Sequence, residues 1–206
     1  MSDVVVKVCG LSSFDDIEVA ADAGVDAIGL VVSPSSSRHL DPARARSLAA
    51  HVPDSMTSVL VTRDYSAAEA TALAREVGTD VLQLHEGTER PDFAAVVASG
   101  VRLWRATSLA FEPDLRIGAF GEEVLLLDSP LAGSGETWDL GSLPPEQRPS
   151  GPWLLAGGLD PDNVAASIRA VRPWGVDVSS GVESSPGVKD HREIIRFVAA
   201  ARGATE

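Results

Sequence analysis

The sequence predicts an α/β protein of one domain spanning residues 1–206, a closed (β/α)8 TIM barrel. Three observations carry this. Eight short apolar runs are separated by longer connections, most of them amphipathic, the alternation of a parallel sheet with right-handed crossovers. Polar groups able to do chemistry are spread over the ends of many of these runs, as a ring of βα-loops converging on one face requires. No GxGxxG follows the first run, which counts against an open dinucleotide-binding sheet, the structural competitor. At 206 residues the chain is short against the roughly 250 typical of such barrels, so its helices and loops must be lean.

The strands are expected at residues 4 to 9, 27 to 32, 57 to 62, 81 to 85, 102 to 107, 123 to 128, 153 to 157 and 175 to 180. Most are rich in β-branched residues or leucine and bounded by Gly, Pro, Ser or Asp. The first helix has Ser13 as N-cap, Asp16 three positions on and a stop at Gly24, close to a capping box. The second begins with Asp41 and Pro42, an N-cap followed by a proline whose missing N–H costs nothing there. The third runs from Ser66 to Gly78, and RPDFAAVVASG, DPDNVAASIRAVRP and KDHREIIRFVAAARG supply three more. Residues 108 to 121 hold a short, poorly patterned fifth helix, and residues 141 to 152, with four prolines, read as a loop.

Composition bounds the function. A net charge of −13 repels nucleic acid and anionic membrane. No apolar run approaches the roughly 20 residues of a membrane span, and the N-terminus lacks the features of a signal peptide. A single cysteine allows no internal disulfide and fits a reducing, cytoplasmic compartment. An acidic protein can still hold phosphate through backbone N–H groups at helix N-termini.

Catalytic groups in a barrel sit at the C-terminal ends of strands. Cys9 ends the first strand; it reads either as a small buried hydrophobe or as a base whose pKa is lowered by positive potential. Asp128 ends the sixth, as a turn residue or as a buried acid with a raised pKa. Arg38 follows the second strand, placed to grip a carboxylate. Lys7 shares parity with Cys9, points inward and needs a carboxylate partner, for which Asp177 on the eighth strand is the candidate. Gln83 and His85 share parity on the fourth strand and are expected to line the pocket, whereas His39 and His51 read as surface residues. Three glycine-rich loops are candidate phosphate cradles: Gly133, Ser134 and Gly135 after strand six, Gly157 and Gly158 after strand seven, and Ser180 and Gly181 after strand eight. The last two occupy the usual phosphate position of barrels.

Six stretches in order, VKVCGLSSFDD, DAIGLVVSPSSSRHL, VLQLH, LLLDSPLAGSGETWDL, LLAGGLDPDNV and VDVSSGVESSPGVKD, resemble the phosphoribosylanthranilate isomerase family of tryptophan biosynthesis. The resemblance covers residues 6 to about 200. It implies an Amadori rearrangement of a small phosphorylated substrate without metal or organic cofactor, in a monomer or homodimer. By that resemblance Asp128 is the general acid, Cys9 the general base and Arg38 the ligand of the anthranilate carboxylate. Two departures stand out. The family commonly has a basic residue after the GSG turn, where this chain has Glu136, and a glycine after QLH, where it has Glu86. The related histidine-pathway isomerases work with aspartate at the end of strand one, and Cys9 argues against that assignment. A barrel that only binds a metabolite is the non-enzymatic alternative.

Overall fold

The computed structural model describes residues 4–86, 91–129 and 143–204. Eight parallel strands close into a barrel in sequence order: β1 Val5–Cys9, β2 Ala27–Val31, β3 Thr57–Thr62, β4 Val81–His85, β5 Arg102–Ser108, β6 Val124–Asp128, β7 Trp153–Leu155 and β8 Gly175–Val178. Six α-helices lie around it among the described residues: α1 Phe14–Ala23, α2 Pro42–Ala49, α3 Ala67–Val77, α4 Phe93–Ala98, α5 Val164–Val171 and α6 His191–Gly203. None is long and apolar enough to cross a membrane.

The expected caps are present. Ser13 and Asp16 form a reciprocal capping box at α1, Asp41 accepts from the Arg44 N–H at α2, and Ser66 pairs with Glu69 in a second box at α3. Each satisfies N–H groups that the first helical turn leaves without partners.

Strand parity divides the apolar residues into two layers. Val6, Val8, Ile28, Leu30, Leu60 and Leu82 face the helices. Ala27, Val59, Val61, Val81, Trp104 and Leu126 fill the barrel interior with Cys9.

Four departures from the sequence reading have local causes. β7 and β8 each end two residues early, because Gly157 turns to φ +87° and Ser179 leaves extended backbone at ψ −82°. No fifth α-helix forms after β5; a 3-10 turn at Leu109–Phe111 takes its place. Arg105 points outward there and is fully buried, bonded to Glu86, Glu122 and the Asp114 carbonyl and stacked on Phe120. A polar cluster thus covers the barrel where a short, poorly patterned helix was expected. After β8 the chain also makes a small antiparallel hairpin, β9 Glu183–Ser185 with β10 Val188–Lys189, inside what the sequence reads as plain loop.

Candidate active site

The C-terminal ends of the strands surround a cavity of about 330 Å³. Cys9, Arg38, His85, Asp128, Gly157 and Ser180 all line it. Residues more than a hundred positions apart in sequence therefore meet in one pocket. Gln83, Gly158 and Asp177 also reach its wall. Lys7, expected as a lining residue, lies beneath the floor, fully buried. Gly181 packs its Cα face against the Leu159 carbonyl, leaving no room for a Cβ. Gly133, Ser134 and Gly135 lie outside the described residues, as does Glu136.

Cys9 enters the pocket because β2 carries glycine opposite it. The register pairs Cys9 with Gly29, and a Cβ at Gly29 would stand 2.6 Å from the Cys9 Sγ. Below the thiol, Lys7 Nζ donates to Asp177 Oδ1 at 2.8 Å with neither group left in open water. Burial works against the Lys7 charge, yet attraction from Asp177 and Cys9 outweighs it and raises the pKa. Burial also pushes the Cys9 thiol up; Lys7 and Lys189 oppose this and Asp177 adds to it. Burial prevails, so the resting group is the thiol, with two cations placed to favour its ionisation.

Asp128 lies across the same cavity and feels Asp177 and Lys7 only as weaker influences. Burial raises its pKa to about 6, against a hydrogen bond from the Ser129 N–H. A carboxyl so placed is protonated in a useful fraction near neutrality. Its seat depends on Gly157, where a Cβ would fall 2.6 Å from Asp128 Oδ1. His85 has its pKa lowered to about 3, first by burial and then by Arg63 and Lys7, and stays neutral. His39 and His51 are exposed, as expected.

Arg38 reaches across to the hairpin. Its Nε and Nη2 donate to Glu183 at 2.7 and 2.8 Å, and Lys189 donates to the same carboxylate at 2.8 Å. The serine-rich loop before Arg38 is tied to β3 through Ser33 and Ser35, both bonded to Asp64. Those hydroxyls serve a carboxylate already present. The loop after β7 is held by Asn163, whose side chain bonds the Gly158 carbonyl and the Asp160 N–H. It turns at Gly157 and Gly158 with φ of +87° and +65°.

Sequence reasoning missed Arg63, Glu183 and Lys189. Arg63 was legible, since it continues the inward parity of Val59 and Val61. Lys189 had a weaker signal. The chain has two lysines against fifteen arginines, and both lysines sit around Cys9. Glu183 had none, because its partners are distant in sequence.

A family model described as N-(5′-phosphoribosyl)anthranilate (PRA) isomerase matches residues 6–200. The chain is 42% identical over 208 residues to the N-(5′-phosphoribosyl)anthranilate isomerase of Magnetococcus marinus, covering 98% of this chain and 97% of that one. It is 43% identical to that of Haloferax volcanii, covering 97% and 93%. Among solved structures, TrpF from Jonesia denitrificans superposes with a TM-score of 0.91 at 53% identity over 98% of both chains. A phosphoribosyl anthranilate isomerase in complex with reduced 1-(o-carboxyphenylamino)-1-deoxyribulose 5-phosphate superposes with a TM-score of 0.82 at 32% identity, over 97% and 99%.

Proposed function

Because the chain belongs to the N-(5′-phosphoribosyl)anthranilate isomerase family, an isomerase of tryptophan biosynthesis, we propose that Cys9 and Asp128 are the base and acid of that rearrangement. The observation that carries this is their placement in one cavity, on β1 and β6, with Lys7 and Lys189 favouring ionisation of the thiol and burial holding the carboxyl up at about 6. Pairs of titratable groups in unlike environments mark acid and base roles.

Asp128, protonated, donates to the ribose ring oxygen as the C1′–O bond breaks. The anilinic nitrogen supplies the electron pair, giving an open-chain iminium. Cys9, as thiolate, then removes the C2′ proton, and those electrons neutralise the iminium to an enolamine. Tautomerisation of the enolamine gives the 1-amino-1-deoxyribulose product. The thiol must first ionise, and Lys7 and Lys189 are the charges that favour it. A reducing cytoplasmic setting keeps that thiol free.

The phosphate fits the turns at Gly157–Gly158 and Ser180–Gly181, where short loops precede a helical turn at Ser180–Val182, the usual phosphate position of barrels. Arg38 keeps Nη1 available for the anthranilate carboxylate while its other edge holds Glu183.

The test is turnover of freshly made phosphoribosylanthranilate, followed by loss of anthranilate fluorescence. Cys9→Ser is expected to lower kcat by about 10²–10⁴-fold, the range of one general base, with product affinity little changed. Unchanged kcat would remove Cys9 from the mechanism. No turnover by folded wild-type protein would sink the enzymatic reading and leave the metabolite-binding one.

A further inference from the structure

Arg63 stands one step beyond β3, where the strand's inward parity carries on. Val59 and Val61 point into the barrel, so Arg63, two residues further, faces the mouth. It lines the same cavity as Cys9, Asp128 and Arg38. Val61 is registered against Gln83 on one side and Val31 on the other. One inward step up, this puts Arg63 between His85 and Ser33.

The neighbouring strand end is coupled to it. Ser33 and Ser35, at the start of the segment leading to Arg38, both bond Asp64. The segments that carry the two arginines are therefore tied to each other, and both side chains line the one cavity. Their occupancy differs. Arg38 gives Nε and Nη2 to Glu183. Arg63 is exposed and has no hydrogen bond or ion pair among the described residues. Among the described residues nothing occupies its donor fork, and such a fork suits a carboxylate. The adjacent imidazole, His85, is neutral and adds no competing cation. The strand order also decides which anion Arg63 meets. The glycine turns offered for the phosphate follow β7 and β8, and β7 is the strand diametrically opposite β3 in a ring of eight.

We propose that Arg63 is a substrate-positioning residue that binds the aryl carboxylate together with Arg38, and so sets the preference for a carboxylate-bearing arylamine. This rests on the isomerase reading above. A single half-occupied arginine becomes a pair, with Arg63 supplying its fork and Arg38 its remaining Nη1.

The experiment measures affinity for two compounds: reduced 1-(o-carboxyphenylamino)-1-deoxyribulose 5-phosphate, and the same molecule without the carboxylate. Wild type, Arg63→Gln and Arg63→Lys are compared by calorimetric titration. Arg63→Gln is expected to weaken the carboxylate compound by about 10- to 100-fold, the scale of a charge-assisted hydrogen bond. It should leave the compound without carboxylate unchanged. Arg63→Lys should recover part of the loss, and with substrate KM should rise while kcat holds. Equal weakening of both compounds, or no weakening of either, overturns the proposal. Wild-type protein that binds neither compound and turns over no phosphoribosylanthranilate overturns the isomerase reading, and this inference with it. Wild-type turnover with an indifferent Arg63→Gln overturns the role of Arg63 alone.

Discussion

Asp128 holds its carboxyl in a site that disfavours the charge, and the fold carries that cost whenever the group ionises. Its folded pKa of about 6 lies above the ordinary 3.8. The contribution to stability is therefore fully present below about pH 4 and is lost as pH rises through 6. Two units correspond to about 3 kcal/mol at roughly 1.4 kcal/mol per unit. Relative to wild type, Asp128→Asn should gain about 2–3 kcal/mol between pH 4 and pH 8, read from urea unfolding at several pH values. A difference that does not change with pH would mean that this carboxyl does not titrate in the folded protein. Gly29 acts on the other reacting group. Its Cβ position overlaps the Cys9 Sγ, so Gly29→Ala must move the thiol. The expected result is a fall in kcat with KM little changed; equal kcat would show that the thiol position has slack. The chain's two lysines belong at this scale too. Where a compact charge beside a thiol is needed, Lys7 and Lys189 supply it, and every other side-chain cation of the Lys/Arg type is arginine.

Elements were legible where local chemistry decides them. Ser13, Asp41 and Ser66 cap their helices as their spacing implies, because a cap needs only residues three positions apart. The region after β5 was only partly legible, since its cover is assembled from three distant segments. Arg105 draws on Glu86, Glu122 and the Asp114 carbonyl. This also accounts for Glu86. The acidic residue after QLH is the partner of a buried guanidinium rather than part of the pocket. Arg105→Ala would leave two buried carboxylates without that cation, and a loss of about 3–5 kcal/mol is expected from chemical denaturation. A loss under about 1 kcal/mol would show that water reaches the cluster. The hairpin of β9 and β10 has a similar lesson. It brings Lys189 and Glu183 to Arg38, and a chain read strand by strand gives no sign of that meeting.

Across the whole molecule, closure is marked by one ion pair. β1 and β8 are the first and last barrel strands, and their register sets Lys7 opposite Asp177, joined at 2.8 Å. Lys7→Met would strand a buried carboxylate and is expected to cost about 3–5 kcal/mol. The double replacement Lys7→Met with Asp177→Leu should recover much of this in the unfolding free energy, since removing both charges removes the penalty. Failure to recover would assign the pair a packing role that neither apolar residue can fill. The same closure gathers Arg38 and Arg63 at one cavity of a protein whose net charge is −13.

The sequence by itself determined the barrel, its order of elements, the helix caps, the inward Lys7–Asp177 pair and the candidacy of Cys9 and Asp128. All of these follow from periodicity, parity and strand-end position, which are local properties of the chain. Only the tertiary structure decided the burial that raises the pKa of both candidates, the half-occupied state of Arg38, the place of Arg63 in the cavity and the carboxylate cover of Arg105. The reason is physical. Desolvation and ion pairing depend on what surrounds a group from every direction, and in a closed barrel most of that surrounding comes from strands far away in sequence.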